Sequence, residues 1–240
     1  MPLVVRLRSA VCLLGRFPAL AGVDLDVAPG ETVLLSGGNG AGKTTLLRLL
    51  AGLVPLHRGE GEVLGTDLAR DRRSHRRRLA FVGQDTFCYD ELTVRENLRF
   101  ATRAAARRGD EMEDQIEEVL EELELDRLAD VRHGRLSTGQ RRRLALAIAL
   151  ARRPELLLLD EPHAGLDAPG RAFLDGVLAR AAHQGVSVVL ASHELDLVRP
   201  VVTREVVLTN GQAHGALEVP PVEARTGMSG RVDKTLEPTT

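Results

Sequence analysis

Nine residues, GGNGAGKTT from Gly37 to Thr45, combine four glycines with one lysine and two hydroxyls. The lysine stands out. The chain carries 32 Lys plus Arg, and only Lys43 and Lys234 are lysines. Gly37, Gly42, Lys43 and Thr44 fit the spacing G-x-x-x-x-G-K-[ST]. In such a loop the glycines let the backbone wrap closely. Successive N–H groups of Gly37, Gly38, Asn39, Gly40, Ala41, Gly42, Lys43, Thr44 and Thr45 then point inward as an anion nest. A helix starting at the end of the loop adds the positive end of its dipole. A nest of this kind takes a compact, flexible ammonium where a wide planar guanidinium does not substitute. Lys43 would reach the β- and γ-phosphates of a nucleotide, and Thr44 would hold Mg²⁺. The plain alternative is a glycine-rich turn that only caps a helix. The order buried strand, loop, apolar helix argues against it.

A second cluster of chemistry follows four leucines, at Asp160-Glu161. An acid closing a buried strand faces the phosphate loop in sheets of this kind and can hold Mg²⁺, usually through water. Glu161, one residue on, is placed to polarise an attacking water. The competing reading is an ordinary strand end with two solvated acids. His193 follows Ser192 and the next apolar run, on the edge where a γ-phosphate would lie. A lone histidine is more often structural, but its place at that strand tip favours function. Gln84 follows LAFVG. Its neutral amide can contact Mg²⁺ or the water and then move away.

The stretch Leu136-Ser137-Thr138-Gly139-Gln140 opens a helix, and Ser with Gly at a helix start is a capping signal. On that reading alone, Arg141, Arg142 and Arg143 behind it are solvated surface.

These groups need elements to hold them. LVVRLR, Leu3 to Arg8, alternates like an edge strand; VDLDV alternates again, and ETVLLS reads as a more buried strand. TLLRLLAGL reads as a helix ended by Gly52 and Pro55. RRRLAFVGQ reads as a helical turn feeding a strand. From about Leu92 to Arg153 the pattern is helical. Thr93 with Glu96 is a capping-box signature for a helix through Ala104. Ile116, Val119, Leu120 and Leu123 share one face of the next helix, and Thr138 to Arg153 forms a third, stopped by Pro154. LLLLD is a buried strand. A helix from about Pro169 to His183 and the strand VSVVLA follow, and Asn210-Gly211 marks a type I′ hairpin. Residues 220–240 are polar and aperiodic, as in a disordered tail. The alternation of strands and helices implies an α/β sheet.

Bulk properties narrow the function classes. The 240 residues carry a formal net charge of -2, so no overall basic field argues for nucleic acid. Aromatics are 2%, with no Trp, so Leu, Val, Ile and Ala must build the core. Cys12 and Cys88 form no C-x-x-C pair and read as two reduced thiols of a cytosolic protein. The N-terminus shows no signal-like pattern, and no apolar run approaches the ~20 residues of a membrane span. The expectation is a soluble chain, with any membrane part supplied by another subunit.

Taken together, the motifs resemble the ATP-binding cassette (ABC) ATPases. GGNGAGKTT is similar to their Walker A loop, Gln84 to the Q-loop, LSTGQ to the LSGGQ signature with Thr138 replacing a Gly, and LLLLDEP to Walker B. Asp167, in AGLD, is similar to the D-loop aspartate, and Ser192-His193 to the switch. The resemblance covers about residues 3 to 215. It implies a P-loop α/β fold with a mixed core sheet, an N-terminal antiparallel β lobe and an α-helical insert. Residues 1–219 would be one domain, with 3–91 and 154–215 the RecA-like core and lobe, and 92–153 the helical subdomain. It implies ATP and Mg²⁺, the latter held by Thr44, Gln84 and Asp160, with Glu161, His193 and Gln84 catalytic. It further implies that two cassettes pack head to tail as a homodimer or a heterodimer. Leu136 to Gln140 would close the other cassette's ATP site, and Asp167 would signal across the dimer. Gly38 stands where many members have Pro. At the place of the usual adenine-stacking aromatic stands Leu14, with Phe17 the nearest aromatic.

A single cassette without membrane segments is similar to the separate ATPase subunits of transporters, bound to an integral membrane permease at the cytoplasmic face of the membrane. Its insert is too short for the coiled-coil arms of DNA-repair members. ELTVRENL would lie near the groove where the permease couples. Several stretches, including AVCLLGRFPALAGVDLDVAPGE and LSTGQRRRLALA, are similar to the ATPase subunit of the haem exporter of cytochrome c maturation. Two other classes share the motifs: a soluble ATPase of iron–sulfur cluster assembly, and an ATP-switched regulatory module without turnover.

Overall fold

A computed structural model describes residues 2–83, 88–104, 110–193 and 201–218. The chain begins with β1 (Val5–Leu14) and β2 (Phe17–Val27), an antiparallel hairpin. Then come β3 (Thr32–Ser36), α1 (Lys43–Leu50), β4 (Arg58–Val63), β5 (Thr66–Asp67) and β6 (Leu79–Val82). Three helices follow: α2 (Val94–Ala104), α3 (Asp110–Glu122) and α4 (Thr138–Leu150). The chain returns through β7 (Leu156–Asp160), α5 (Ala168–His183), β8 (Ser187–Ala191), β9 (Arg204–Thr209) and β10 (Gln212–Glu218).

The strands form two sheets. The smaller has the order β2-β1-β4-β5 and is antiparallel. Here one expectation is corrected: β1 is an interior strand, flanked by β2 and β4. Its alternation places Val5, Leu7, Ala10 and Cys12 in the core and Arg6 and Arg8 outside. One buried face is enough to produce that pattern in any antiparallel strand, so alternation does not separate edge from interior. Arg6 and Arg8 pair across it with Glu62 at 2.9 Å and Asp26 at 2.7 Å.

The larger sheet runs β10-β9-β3-β8-β7-β6, parallel except where β10 returns against β9. β3, β7 and β8 are buried at every residue. Both faces are covered, and the leucines of β7 divide between them. Leu157 and Leu159 join the core under α4 and α5, while Leu156 and Leu158 join the core under α1 and the antiparallel sheet. Each fully buried leucine stabilises by roughly 1.5–3 kcal/mol, which fits the run of four leucines that precedes Asp160 in this strand.

The local signals hold. Thr93 N–H donates to Glu96 at 2.8 Å and Glu96 N–H to Thr93 Oγ1 at 3.2 Å, the reciprocal box that starts α2. Asn210 and Gly211 have φ of 51° and 75°, the positive values a type I′ turn requires. α4 ends three residues earlier than expected, at Leu150, and Arg153 has φ of 46°. A residue before proline is disfavoured in the α region, so Pro154 cuts the helix back. Cys12 is buried and Cys88 half-buried, and neither is in a disulfide. Among the described residues, no helix is long and apolar enough to cross a membrane. Gln84 and residues 220–240 lie outside the described residues.

Candidate active site

The loop after β3 has little room for side chains. At Gly37, with φ of 134°, a Cβ would overlap the carbonyl oxygen of Leu208. At Gly42, φ 108°, it would stand 2.7 Å from the carbonyl oxygen of Ala19. The turn between β9 and β10 braces the loop: Gly211 N–H donates to Ala41 O at 3.0 Å, and Ala21 N–H donates to Gly211 O at 2.7 Å. Gly38 has open space around it, which accounts for tolerance of a side chain there. Lys43 is the first residue of α1 and only 7% exposed. Its Nζ donates to Gly37 O at 2.7 Å and Gly38 O at 3.2 Å, so the ammonium lies folded over the loop it would share with a phosphate.

β7 and β8 are adjacent, and their ends carry the acids and the histidine to this loop. Asp160 is buried, and both its oxygens accept from Thr44 Oγ1, at 2.9 and 3.1 Å. A hydroxyl and a carboxylate side by side are hard oxygen donors suited to Mg²⁺. Glu161 Oε1 lies 2.9 Å from His193 Nδ1, so carboxylate and imidazole are in contact. Glu161 has φ of 50°, a left-handed conformation that costs a residue with a side chain roughly 1–3 kcal/mol. Its backbone is held on both sides. Its N–H donates to Ala191 O at 2.9 Å, and its carbonyl accepts from Arg142 Nη2 at 2.6 Å.

Arg142 corrects the expectation of a solvated arginine run. It is 8% exposed and also donates from Nη1 to Gly83 O at 2.8 Å. Burial pulls its pKa down from the usual guanidinium range, and the charges of Asp160 and Glu161 push it back up. Helical phase carried the missed signal: Arg142 shares a stripe with Ala145, Leu146 and Ala149, three, four and seven residues on, all buried. Arg143 packs over the Phe173 ring at 4.0 Å and pairs with Glu124 at 2.5 Å. His163 was also missed. It is 2% exposed, its Nε2 lies 2.8 Å from Asp175 Oδ1, and its Nδ1 has no hydrogen-bond partner among the described residues.

Ser137 does cap α4. Its N–H donates to Gln140 Oε1 at 2.9 Å, and Gln140 N–H donates back to Ser137 Oγ at 3.3 Å. Leu136 is buried beneath this turn, whereas Ser137 and Thr138 are exposed. Asp167 caps α5, accepting from Gly170 N–H at 2.9 Å. Ser137, Thr138, Gly139, Gln140 and Asp167 border one cavity of about 560 Å³. Neither Thr44 nor Asp160 borders that cavity, so the stretch 136–140 is presented separately from the phosphate loop of its own chain. Leu14 and Phe17 pair at the tip of the β1–β2 hairpin, 50% and 79% exposed.

The arrangement can hold a nucleoside triphosphate, a cation and an attacking water at the carboxyl ends of β3, β7 and β8. The ABC transporter family matches residues 20–164. The chain is 43% identical over 187 residues to the cytochrome c biogenesis ATP-binding export protein CcmA of Bordetella bronchiseptica, covering 78% of this chain and 83% of that one. It is 41% identical over 214 residues to the sulfate/thiosulfate import ATP-binding protein CysA of Methylococcus capsulatus, 87% of this chain and 61% of that one. Among solved structures, the dimeric post-hydrolysis cassette MJ0796 bound to ADP and Pi superposes with a TM-score of 0.81 at 27% identity, over 90% and 99% of the two chains. This chain therefore belongs to the ABC transporter family, as an ATP-hydrolysing cassette subunit.

Proposed function

We propose that this cassette drives a separate membrane permease by closing head to tail on a second cassette around ATP and reopening after hydrolysis. The observation that carries the reading is the contact of Glu161 with His193, beside the Thr44–Asp160 pair. The nest from Gly37 to Thr45 and Lys43 bind the triphosphate. Thr44 and Asp160, with Gln84, would hold Mg²⁺, whose chemistry is to neutralise charge on the β- and γ-phosphate oxygens. Glu161 accepts a proton from the water whose oxygen attacks the γ-phosphorus. The bond to the β–γ bridging oxygen breaks, and ADP leaves with its electron pair. His193 orients Glu161 and holds the γ-phosphate. Ser137 and Gly139, at the exposed start of α4, complete the site of the opposite cassette with N–H donors, and Asp167 lies beside them.

A groove of about 900 Å³ supports partner docking next to this site. Arg48, Leu53, Val54, Arg76, Phe81 and Arg152 line it, and Thr44 and Asp160 border it too. A permease segment seated there would touch the residues that bind the cation, so binding and transport are linked by contact. That docking puts the cassette at the cytoplasmic face of the membrane. We assign the cargo as haem for cytochrome c biogenesis, on the resemblance of Ala10–Glu31 and of the stretch after Leu136 to haem-exporter ATPases. The 43% identity to an export cassette of cytochrome c biogenesis supports it.

The test is capture of tagged Glu161→Gln with Mg-ATP from solubilised membranes. A co-purifying polytopic membrane protein is the expected outcome, and its identity tests the cargo. Soluble partners alone, above all a cluster scaffold, would replace this reading with the iron–sulfur one.

A further inference from the structure

We propose that Arg142 is a positioning residue that sets Glu161 for hydrolysis and makes that setting depend on where α4 sits. The inference rests on the assignment of Glu161 as the base. Glu161 occupies a left-handed conformation in which a non-glycine residue stays only when its surroundings impose it. The Arg142 fork supplies the constraint on the carbonyl side. Its other nitrogen takes the carbonyl of Gly83, at the end of β6 and one residue before Gln84. One guanidinium thus spans the ends of β6 and β7, the two strands that lead to the hydrolytic residues. The two hydrogen bonds go to carbonyls rather than to carboxylates, so the site uses the shape of the fork and not only its charge. A lysine carries one nitrogen and cannot hold both carbonyls in this geometry.

Arg142 stands two residues after Gln140 on the same helix. The stretch offered to the opposite ATP and the clamp on this chain's own base therefore move as one rigid body. Displacing α4 withdraws the fork, frees the Glu161 carbonyl and lets the carboxylate leave His193. Hydrolysis in one site is then licensed by the position of the helix that engages the other. The buried guanidinium is consistent with this: its charge faces Asp160 and Glu161, and burial alone disfavours it.

The experiment compares Arg142→Lys and Arg142→Gln, each alone and combined with Glu161→Gln, in the full chain. Steady-state kcat and KM, affinity for a fluorescent ADP analogue and Tm are measured for each. A displaced base costs rate and spares binding, so kcat should fall at least about tenfold in both single variants while nucleotide affinity stays within about twofold. Combined with Glu161→Gln, neither substitution should lower the residual rate further, because the group it positions is already gone. A merely structural role would instead lower Tm and nucleotide affinity together and would multiply with Glu161→Gln. That result, or an Arg142→Lys variant with parental kcat, overturns the proposal. Should Arg142→Gln fail to fold, Arg142→Lys keeps the charge and the stem and decides the question. If Glu161→Gln alone hydrolyses at the parental rate, the base assignment falls and the proposal with it. If Glu161→Gln is inactive but Arg142→Lys is not affected, only the proposal falls.

Discussion

The hydroxyl of Thr44, on the first turn of α1, donates to the carboxylate of Asp160 at the end of β7, 116 residues away in sequence. Two elements that meet only in the folded sheet thereby share one polar contact at the phosphate loop. Under the proposed function these are the Mg²⁺ groups. Thr44→Ala is expected to raise the Mg²⁺ concentration for half-maximal hydrolysis by about tenfold, the loss of one good oxygen contact. Nucleotide affinity in EDTA should stay near parental. An unchanged Mg²⁺ dependence would remove Thr44 from the cation site.

Lys43 is buried and bonded only to carbonyls of its own loop in the hydrogen bonds described. Those carbonyls do not need a charge, whereas a triphosphate does. Lys43→Ala is expected to weaken ATP binding by about 100-fold or more, so that none is detected at micromolar ATP. Equilibrium titration checks this, with Tm as the control for folding. Micromolar binding by the variant would put the phosphate contact elsewhere.

Under the proposed function, Glu161 and His193 divide the hydrolytic work. Glu161→Gln should lower kcat by about 10²–10⁴-fold, the usual worth of a general base. It should also accumulate an ATP-bound dimer on size-exclusion chromatography with Mg-ATP. His193→Ala leaves the base present but unheld, so its loss of kcat should be smaller, about ten- to a hundredfold. A monomeric Glu161→Gln in Mg-ATP would contradict the sandwich for the isolated chain.

His75 predicts a pH dependence of stability. It is 1% exposed, its Nε2 lies 3.0 Å from Leu50 O, and its Nδ1 has no hydrogen-bond partner among the described residues. Burial holds its pKa below the ordinary histidine value, and the Arg76 charge adds to the effect. The unfolded chain then binds the proton first as pH falls. His75 stabilises the fold above the unfolded pKa of about 6.5, and that stability is lost as pH drops toward the folded value. One proton gives a slope of at most about 1.4 kcal/mol per pH unit. Thermal unfolding from pH 7.5 to 5.5 should therefore be steeper in the parent than in His75→Gln. Parallel Tm curves would show that His75 does not titrate with unfolding.

Much of the site was legible in order and spacing. A phosphate nest needs glycines at particular turns and one ammonium, so Gly37 to Thr45 announces itself locally. The leucines before Asp160 report a strand covered on both faces, and Ser137 with Gln140 reports a helix start. Whether the first strand lies at an edge or inside its sheet was not legible. LVVRLR alternates because one face is wet, and that condition holds equally at an edge and in the interior.

Local chemistry repeats with short periods, so the sequence by itself determined the phosphate loop, the acid pair, the caps, the hairpin turn and the family. Tertiary structure decided which carbonyls meet which donors. Arg142 reads as one of three surface arginines until α4 packs over the ends of β6 and β7 and turns its fork onto Gly83 and Glu161. His163 meets Asp175 only once α5 folds back. The left-handed Glu161 depends on Ala191 and Arg142, 30 and 19 residues distant, holding its two backbone groups. Such contacts depend on the packing of whole elements, and no window of neighbouring residues contains that information.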